Sequence, residues 1–288
     1  VNNTFTTIEE ARRWASVFLR ENGRETRVAD LLLEHYLALP FAKLLASGPD
    51  PFPEEQRDRF VRSIEQHAET GVPVQHIIGT APFYGREFHV NENVLIPRPE
   101  TEELVVGVVD MIRKWDLDNP KVVDVGTGSG VIAITIALEQ PDVNMIASDI
   151  STEALQVAKS NSHLHEAGVD FLQGNFLEPL QDQAVDIVVS NPPYIAYHEK
   201  ETMDDTVVDF DPELALFTDQ EGLAAYQTIV EQISGWERKP YLIAFEIGYQ
   251  QGEAVTNIIE GQLDGYDVEV RQDLNGKDRM IFAVLKEK

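Results

Sequence analysis

Through residues 1–75, apolar side chains recur three and four positions apart, the period of helices that bury one face. Ile8, Ala11, Ala15, Phe18 and Leu19 follow a Thr7/Glu10 pair in capping-box spacing, which predicts a first helix starting at Thr7. The same period recurs over 27–39, 41–46 and 53–70, where Pro53 suits a first helical turn. Gly71 and Pro73 break the pattern. The segment PFYGREFHVNENVLIP (82–97) then alternates aromatic and β-branched residues with polar ones, which predicts a pair of strands. From Pro99 onward, helical periods (101–115, 131–139, 152–166, 223–233, 253–262) alternate with short apolar runs. These runs are KVVDV, VNMIAS, VDFLQ, AVDIVVS, YLIAFEI, YDVEV and RMIFAV. Such alternation predicts an α/β fold: a doubly wound, mostly parallel seven-stranded sheet with helices on both faces. The last two runs leave no room for a helix between them, so the sheet should end in an antiparallel hairpin. The expected organisation is a small helical bundle at 1–75, a β-hairpin connector at 76–98 and the α/β domain at 99–288.

Composition narrows what such a chain can do. Its 288 residues are 43% hydrophobic, 25% charged and 8% aromatic, an ordinary globular balance with enough chain for a real core. The formal net charge of −27 repels phosphate backbones and anionic lipid, so stable nucleic-acid or membrane binding is not expected. The chain contains no cysteine, which excludes disulfides, thiolate nucleophiles and zinc–thiolate or iron–sulfur ligation. The first twenty residues lack the basic start and unbroken apolar core of a signal peptide, and no run approaches the roughly 18 apolar residues of a membrane span. A cytoplasmic location is therefore expected. His163 and His165 stand two apart on a predicted helix and point different ways, and no other histidine shows ligand spacing, so no metal is expected.

The first chemical signal is Asp124-Val-Gly126-Thr127-Gly128-Ser129-Gly130, directly after the run KVVDV. Glycines there let the backbone turn sharply and approach a ligand at the carboxyl end of a strand. Asp149 ends the next predicted strand, about 20 residues on, where a carboxylate can accept from ribose hydroxyls. Together they mark a nucleoside-bearing cofactor. The dinucleotide fingerprint Gly-x-Gly-x-x-Gly fails because Val131 occupies the third glycine position, and a P-loop fails for want of the Lys-Ser or Lys-Thr pair.

The second signal is Asn191-Pro192-Pro193-Tyr194, directly after AVDIVVS. Each proline fixes its own φ and restricts the residue before it, so the loop is stiff before any substrate arrives. The Asn191 side chain offers one acceptor and two donors, and the carbonyls of Asn191 and Pro192 are free of any helix, a set that matches a planar NH₂ group. An amide or exocyclic amine is a weak nucleophile, so an enzyme must hold it in line with an electrophile and accept its N–H bonds. The ring of Tyr194 is placed to pack on such a substrate, and Phe176 to meet a cationic sulfonium.

The glycine loop resembles that of class I S-adenosylmethionine-dependent methyltransferases, which have a Rossmann-like sheet, and Asn-Pro-Pro-Tyr resembles the loop of enzymes that methylate planar nitrogen. Further blocks narrow the resemblance to the HemK/PrmC family of release-factor glutamine methyltransferases. They are Gln75–Thr80 with Phe83-Tyr84-Gly85, Val94–Glu102, Asp209–Leu216, Glu246-Ile-Gly248 and Asp273–Arg279, and with the two loops they span nearly the whole chain. The resemblance implies S-adenosylmethionine as cofactor, held by Asp124, Gly126, Thr127, Gly128, Ser129, Gly130, Asp149, Phe176 and Asn191. It implies transfer of methyl to the side-chain nitrogen of the glutamine in the Gly-Gly-Gln motif of peptide-chain release factors. Asn191, Pro192, Pro193 and Tyr194 would hold that glutamine, with Asn191, Pro192 and Tyr194 in the catalytic role, and the helical unit would dock the protein substrate. A monomer is expected.

Asn175 stands before Phe176 where related enzymes often carry an aspartate. Arg98 and Glu100, between prolines, read either as a lid over the cofactor or as a rigid linker with a surface ion pair worth about 0 to 1 kcal/mol. The acidic stretch 199–213, which includes Asp204, Asp205 and Asp209, reads either as a solvated loop or as a steering surface acting within a Debye length of about 8 Å. Two alternatives share parts of the pattern: adenine-N6 methylation of DNA or RNA, against which the net charge speaks, and non-catalytic cofactor binding, which leaves Asn191–Tyr194 without a purpose.

Overall fold

The computed structural model of the chain describes residues 5–115, 117–180, 183–202 and 209–286, in two compact units. The first is helical: α1 Ile8–Glu21, α2 Arg27–Leu37, α3 Phe41–Ala46, α4 Glu54–Thr70 and α5 Val74–Ile78. The capping box opens α1, with Thr7 Oγ1 accepting from Glu10 N (3.3 Å) and Glu10 Oε2 accepting from Thr7 N (3.2 Å). Gly71, at φ 77°, ends α4. The β connector expected from residue 76 begins instead with a helical turn, α5, which follows Pro73 and is closed by Gly79 at φ 81°. The core of this unit comprises Leu19, Leu32, Leu33, Phe60 and Ile64, with Phe5 packed edge-on to Phe52. The buried Asp30 accepts from Arg12 (2.5 Å) and Arg27 (3.2 Å), which satisfies a carboxylate that would be costly alone.

The second unit opens with a hairpin, β1 Thr80–Phe83 and β2 Arg86–His89, turned by Tyr84 and Gly85, both at positive φ as a two-residue hairpin loop requires. The expected strand pair ran on to residue 97, but β2 stops at His89. Asn91 Oδ1 accepts from Asn93 N (3.0 Å) to make a local turn, and Pro97 and Pro99 cannot join a ladder.

Then follow α6 Pro99–Trp115, β3 Lys121–Val125, α7 Val131–Glu139, β4 Asn144–Asp149, α8 Thr152–Leu164, β5 Val169–Gln173 and β6 Ile187–Ser190. A short parallel pair, β7 Ile195–Ala196 and β8 Phe217–Thr218, was not anticipated, because two residues give no period to read. The unit closes with α9 Ala224–Ser234, β9 Leu242–Glu246, α10 Gly252–Gln262, β10 Tyr266–Gln272 and β11 Asp278–Leu285.

The seven-stranded sheet has the order β10-β11-β9-β6-β3-β4-β5, with only β11 antiparallel to its neighbours. Alternate residues of each strand serve opposite faces. Val122, Ile187, Leu242 and Phe282 pack under α6 and α7, whereas Val123, Val188, Ile243 and Ile281 pack under α9 and α10. Burial on both faces explains the nearly unbroken apolar runs. Among the described residues no helix is long and apolar enough to cross a membrane. Asp204 and Asp205 of the acidic stretch lie outside the described residues.

α6 lies against β11 at Gly107, where an added Cβ would stand 2.3 Å from Phe282 Cζ. Gly107→Ala is expected to lower unfolding stability by about 1–3 kcal/mol through overpacking. Gly261→Ala, on α10 with open space around it, should raise stability by about 0.5–1 kcal/mol. Urea denaturation of the two variants checks both signs.

Candidate active site

The chain winds from β3 outward to β4 and β5, then crosses back to β6 on the other side of β3. At such a reversal the connections leave the strand ends in opposite directions and a crevice opens at the carboxyl edge. The glycine loop leaves β3, Asp149 ends β4 and Asn191 follows β6, so all three meet at one cavity of about 420 Å³. That volume falls within the usual small-molecule range of about 300–1,000 Å³.

Gly126, Gly128 and Gly130 take φ of 71°, 55° and 84°, a region that side chains rarely adopt. Gly126 and Gly128 line the cavity and would place a Cβ in open space, so their missing side chains are what opens the cradle. Gly130 serves packing instead: a Cβ there would lie 2.9 Å from Ile134 Cδ1 and 3.1 Å from Ala158 Cβ. The loop is tied down from behind. Gly126 N and Thr127 N donate to Ser148 O (2.8 and 3.0 Å), and the buried Asn161 donates to Ser129 O (2.8 Å).

The two acids predicted for the cofactor differ in place. Asp149 borders the cavity, its Oδ2 accepting from Gly128 N and its Oδ1 from Ser151 N, both at 2.9 Å. Burial pushes its pKa up. Asp124 lies fully buried behind the loop, where Oδ2 accepts from Thr127 Oγ1 (2.6 Å) and Ala133 N (3.2 Å), so it braces the loop onto α7. Its Oδ1 has no partner, and burial drives its pKa up to about 7. Phe176 and Asn175 also line the cavity. Phe176 sits at φ 53°, its carbonyl held by Ser148 Oγ (2.9 Å).

In the second loop, Asn191 and Pro193 line the cavity, whereas Pro192 is buried and Tyr194 packs against the cluster that contains Tyr226 and Ile247. Burial raises the Tyr194 hydroxyl well above its ordinary range, which keeps it neutral. The Tyr194 carbonyl accepts from Gln251 Nε2 (2.8 Å) beside Gly222, where a Cβ would lie 2.2 Å from the same oxygen.

Arg98, weighed from sequence as a lid or a linker, and several residues given no role there complete the site. Arg98 lines the cavity and pairs at 2.9 Å with Asp211, whose side chain is buried, so this is no surface pair. Asp211 joins the connector to the turn Glu213–Leu216, and Leu214, Ala215 and Phe217 reach the cavity from there. Thr101 borders the cavity and donates at 2.6 Å to the buried Glu246, whose pKa burial drives up to about 7. The blocks that carry Thr101 and Glu246 were visible in the sequence, but nothing in their spacing joins them. Among the described residues no group of three or more His, Asp or Glu side chains could hold a metal ion.

Fold neighbours share this architecture. The crystal structure of the hMettl16 catalytic domain in complex with MAT2A 3′UTR hairpin 6 aligns with a TM-score of 0.54 at 13% identity, over 82% of this chain and 84% of that one. The T. thermophilus 16S rRNA N2 G1207 methyltransferase (RsmC) in complex with AdoMet and guanosine aligns with a TM-score of 0.50 at 15% identity, over 72% and 50%. Residues 108–210 match the Methyltransferase small domain, and the sheet and its cavity are those of an S-adenosylmethionine-dependent methyltransferase. Residues 10–79 match the PrmC N-terminal domain. The release factor glutamine methyltransferase of Bacillus subtilis is 47% identical over 97% of this chain and 98% of its own length, and that of Enterococcus faecalis is 38% identical over 95% and 98%. The chain belongs to the PrmC/HemK family of release factor glutamine methyltransferases.

The residues present fit the cofactor of that family. The side-chain-free backbone of Gly126 and Gly128 and the carboxylate of Asp149 meet the chemistry of a nucleoside with a charged amino-acid tail.

Because Asp124 holds its proton to about pH 7 when folded and releases it near 3.9 when unfolded, the folded state binds more protons between those values. Its contribution to stability therefore falls as pH rises from 5.5 to 8. Asp124→Asn is expected to flatten that decline, read as a smaller difference in urea midpoint between the two pH values.

Proposed function

We propose that this chain transfers the methyl group of S-adenosylmethionine to the side-chain amide nitrogen, N5, of the glutamine in the Gly-Gly-Gln motif of peptide-chain release factors. The 47% identity to the B. subtilis release factor glutamine methyltransferase, over nearly the full length of both chains, carries this reading. The placement of Asn191 and Pro193 on the cavity that Gly128 and Asp149 also line supports it.

When bound, S-adenosylmethionine supplies an electrophilic methyl on a sulfonium. Gly126 and Gly128 would admit its amino-acid end to the loop backbone, Asp149 would take the ribose hydroxyls and Phe176 would give an aromatic wall. Asp124 acts from behind, holding Thr127 and the start of α7 in place. Asn191 and the carbonyls of its loop accept the N–H bonds of the glutamine amide, which orients the nitrogen lone pair toward the methyl. The nitrogen would take the methyl as the sulfonium's sulfur–methyl bond breaks and a neutral thioether leaves, and would give up one proton to water; no strong base is needed beforehand because charge develops only as the bond forms. Pro192 keeps the loop rigid, and Tyr194 anchors its far end through Gln251.

The helical unit docks the release factor in this reading, consistent with its match to the PrmC N-terminal domain. The enzyme acts as a cytoplasmic monomer whose macromolecular partner is a protein. A net charge of −27 speaks against stable nucleic-acid binding.

Radiolabelled methyl is expected on purified release factor and to vanish when its Gly-Gly-Gln glutamine is replaced. Label on DNA or RNA instead would transfer the chemistry to another substrate. Asn191→Ala should bind S-adenosylmethionine as the parent does while kcat falls about 10²–10³-fold, the usual effect of removing a group that meets developing charge. Normal turnover in that variant would overturn the assignment.

A further inference from the structure

Three elements converge behind Asn191. Ser190 pairs with Phe245 in the parallel β6/β9 ladder, so the next residues, Asn191 just past β6 and Glu246 at the end of β9, stand side by side. α6 brings Thr101 to the same point. Thr101 Oγ1 donates to Glu246 Oε2 at 2.6 Å, and Asn191 Nδ2 donates to Thr101 Oγ1 at 3.3 Å. Glu246 and Thr101 are only 2% and 3% exposed, so water cannot substitute for either partner.

Proton counting gives this chain of bonds a direction. A threonine hydroxyl has a single proton, and here it goes to the carboxylate, so only lone pairs remain for Asn191. Asn191 must therefore turn its NH₂ inward, which leaves Oδ1 as the atom free to serve the cavity. A substrate amide offers N–H donors, and an inverted Asn191 would set donor against donor.

We propose that Glu246 is a positioning residue: directly and through Thr101, its carboxylate holds Asn191 with Oδ1 presented to the N–H of the substrate amide. The inference rests on the reading of Asn191 as the residue that receives the glutamine.

It also makes turnover depend on pH. Burial and Glu100 raise the Glu246 pKa, while Arg279 and the hydrogen bonds from Thr101 and Asn191 lower it, for a value of about 7. Tyr226 donates to the Glu246 main-chain carbonyl (2.8 Å), and Tyr194 lies within its field; burial keeps both phenols neutral over this range. Arg279 is itself held by Asp273 at 3.2 Å. Below the pKa, a protonated Glu246 can donate to Thr101, Thr101 can then donate outward, and the preference for Nδ2-inward is lost. kcat should therefore rise with pH through about 7.

The test compares Glu246→Gln, Thr101→Val and Thr101→Ser in the full chain with release factor as substrate. Glu246→Gln and Thr101→Val are expected to lower kcat at pH 8 by about 10–100-fold, as loss of one buried charge-assisted hydrogen bond would. KM for the release factor and the affinity for S-adenosylmethionine should stay within about twofold in both. Thr101→Ser should recover most of the rate, and Glu246→Gln should lose the acidic limb of the profile. Independently of any substrate, ¹⁵N–¹H spectra should show slowly exchanging Asn191 side-chain amide protons in the parent and fast exchange in Thr101→Val.

Parental kcat in both Glu246→Gln and Thr101→Val, or unchanged Asn191 amide signals in Thr101→Val, would overturn the positioning role. A parent enzyme that puts no methyl on the release-factor glutamine would overturn the underlying reading instead, and the Asn191 spectra would still decide the positioning.

Discussion

The reversal of the sheet about β3 is the constraint from which the rest of the site follows: with crossovers of one hand, the connections after β3 and β6 run toward opposite edges on opposite faces and leave a crevice between them. Val125, Asp149 and Ser190 end adjacent strands, so three loops far apart in sequence become walls of one cavity. Side-chain bonds then hold the strand ends in register. Ser190 Oγ reaches Val125 O at 2.6 Å, and Ser148 Oγ reaches the Phe176 carbonyl at 2.9 Å.

A protein with a large excess of acid sets three carboxylates whose pKa burial raises at this edge, Asp124 and Glu246 fully buried and Asp149 half-buried, and each is accommodated differently. Asp149 accepts two backbone N–H groups and stays next to the cavity. Asp124 accepts on one oxygen only, the other being without a partner. Glu246 is bound by Thr101 and lies in the field of Arg279. Buried carboxyls cost folding free energy, and their retention around a cavity is a familiar sign of a site whose charges are arranged for chemistry. Here two of the three act on neighbouring protein groups: Asp124 on the glycine loop and, as inferred above, Glu246 on Asn191.

The connector illustrates how local chemistry and long-range contacts combine. Its Asn91 turn and prolines prevent strand continuation beyond His89, and the guanidinium of the half-buried Arg98 reaches the buried carboxylate of Asp211. Asp211 also lies near Ile96 N (3.5 Å), so a segment without regular structure is fixed at two points beside the cavity. A rigid linker and a wall of the site are thus the same object.

Much of this was legible in the chain. Period-two and period-3.6 runs named all seven sheet strands and the long helices, because helices on both faces leave inner strands such as β6 and β9 apolar throughout while the edge strand β10 alternates. Glycines at positive φ and the paired prolines marked both loops, since those backbone shapes admit few other residues. The short runs were illegible: α5, β7 and β8 are too brief for a period, and Val90–Pro97 alternates like a strand while its turn and prolines forbid pairing. Sequence likewise placed Asp124 and Asp149 in one role, and only the fold sets one behind the loop and the other at the cavity. By itself the sequence determined the elements, the two loops and their chemical kinship, because each rests on local backbone geometry. The tertiary structure alone decided that Thr101, Asn191 and Glu246 share one hydrogen-bonded chain, because strand order, which no local pattern encodes, is what brings residues 145 positions apart within 2.6 Å.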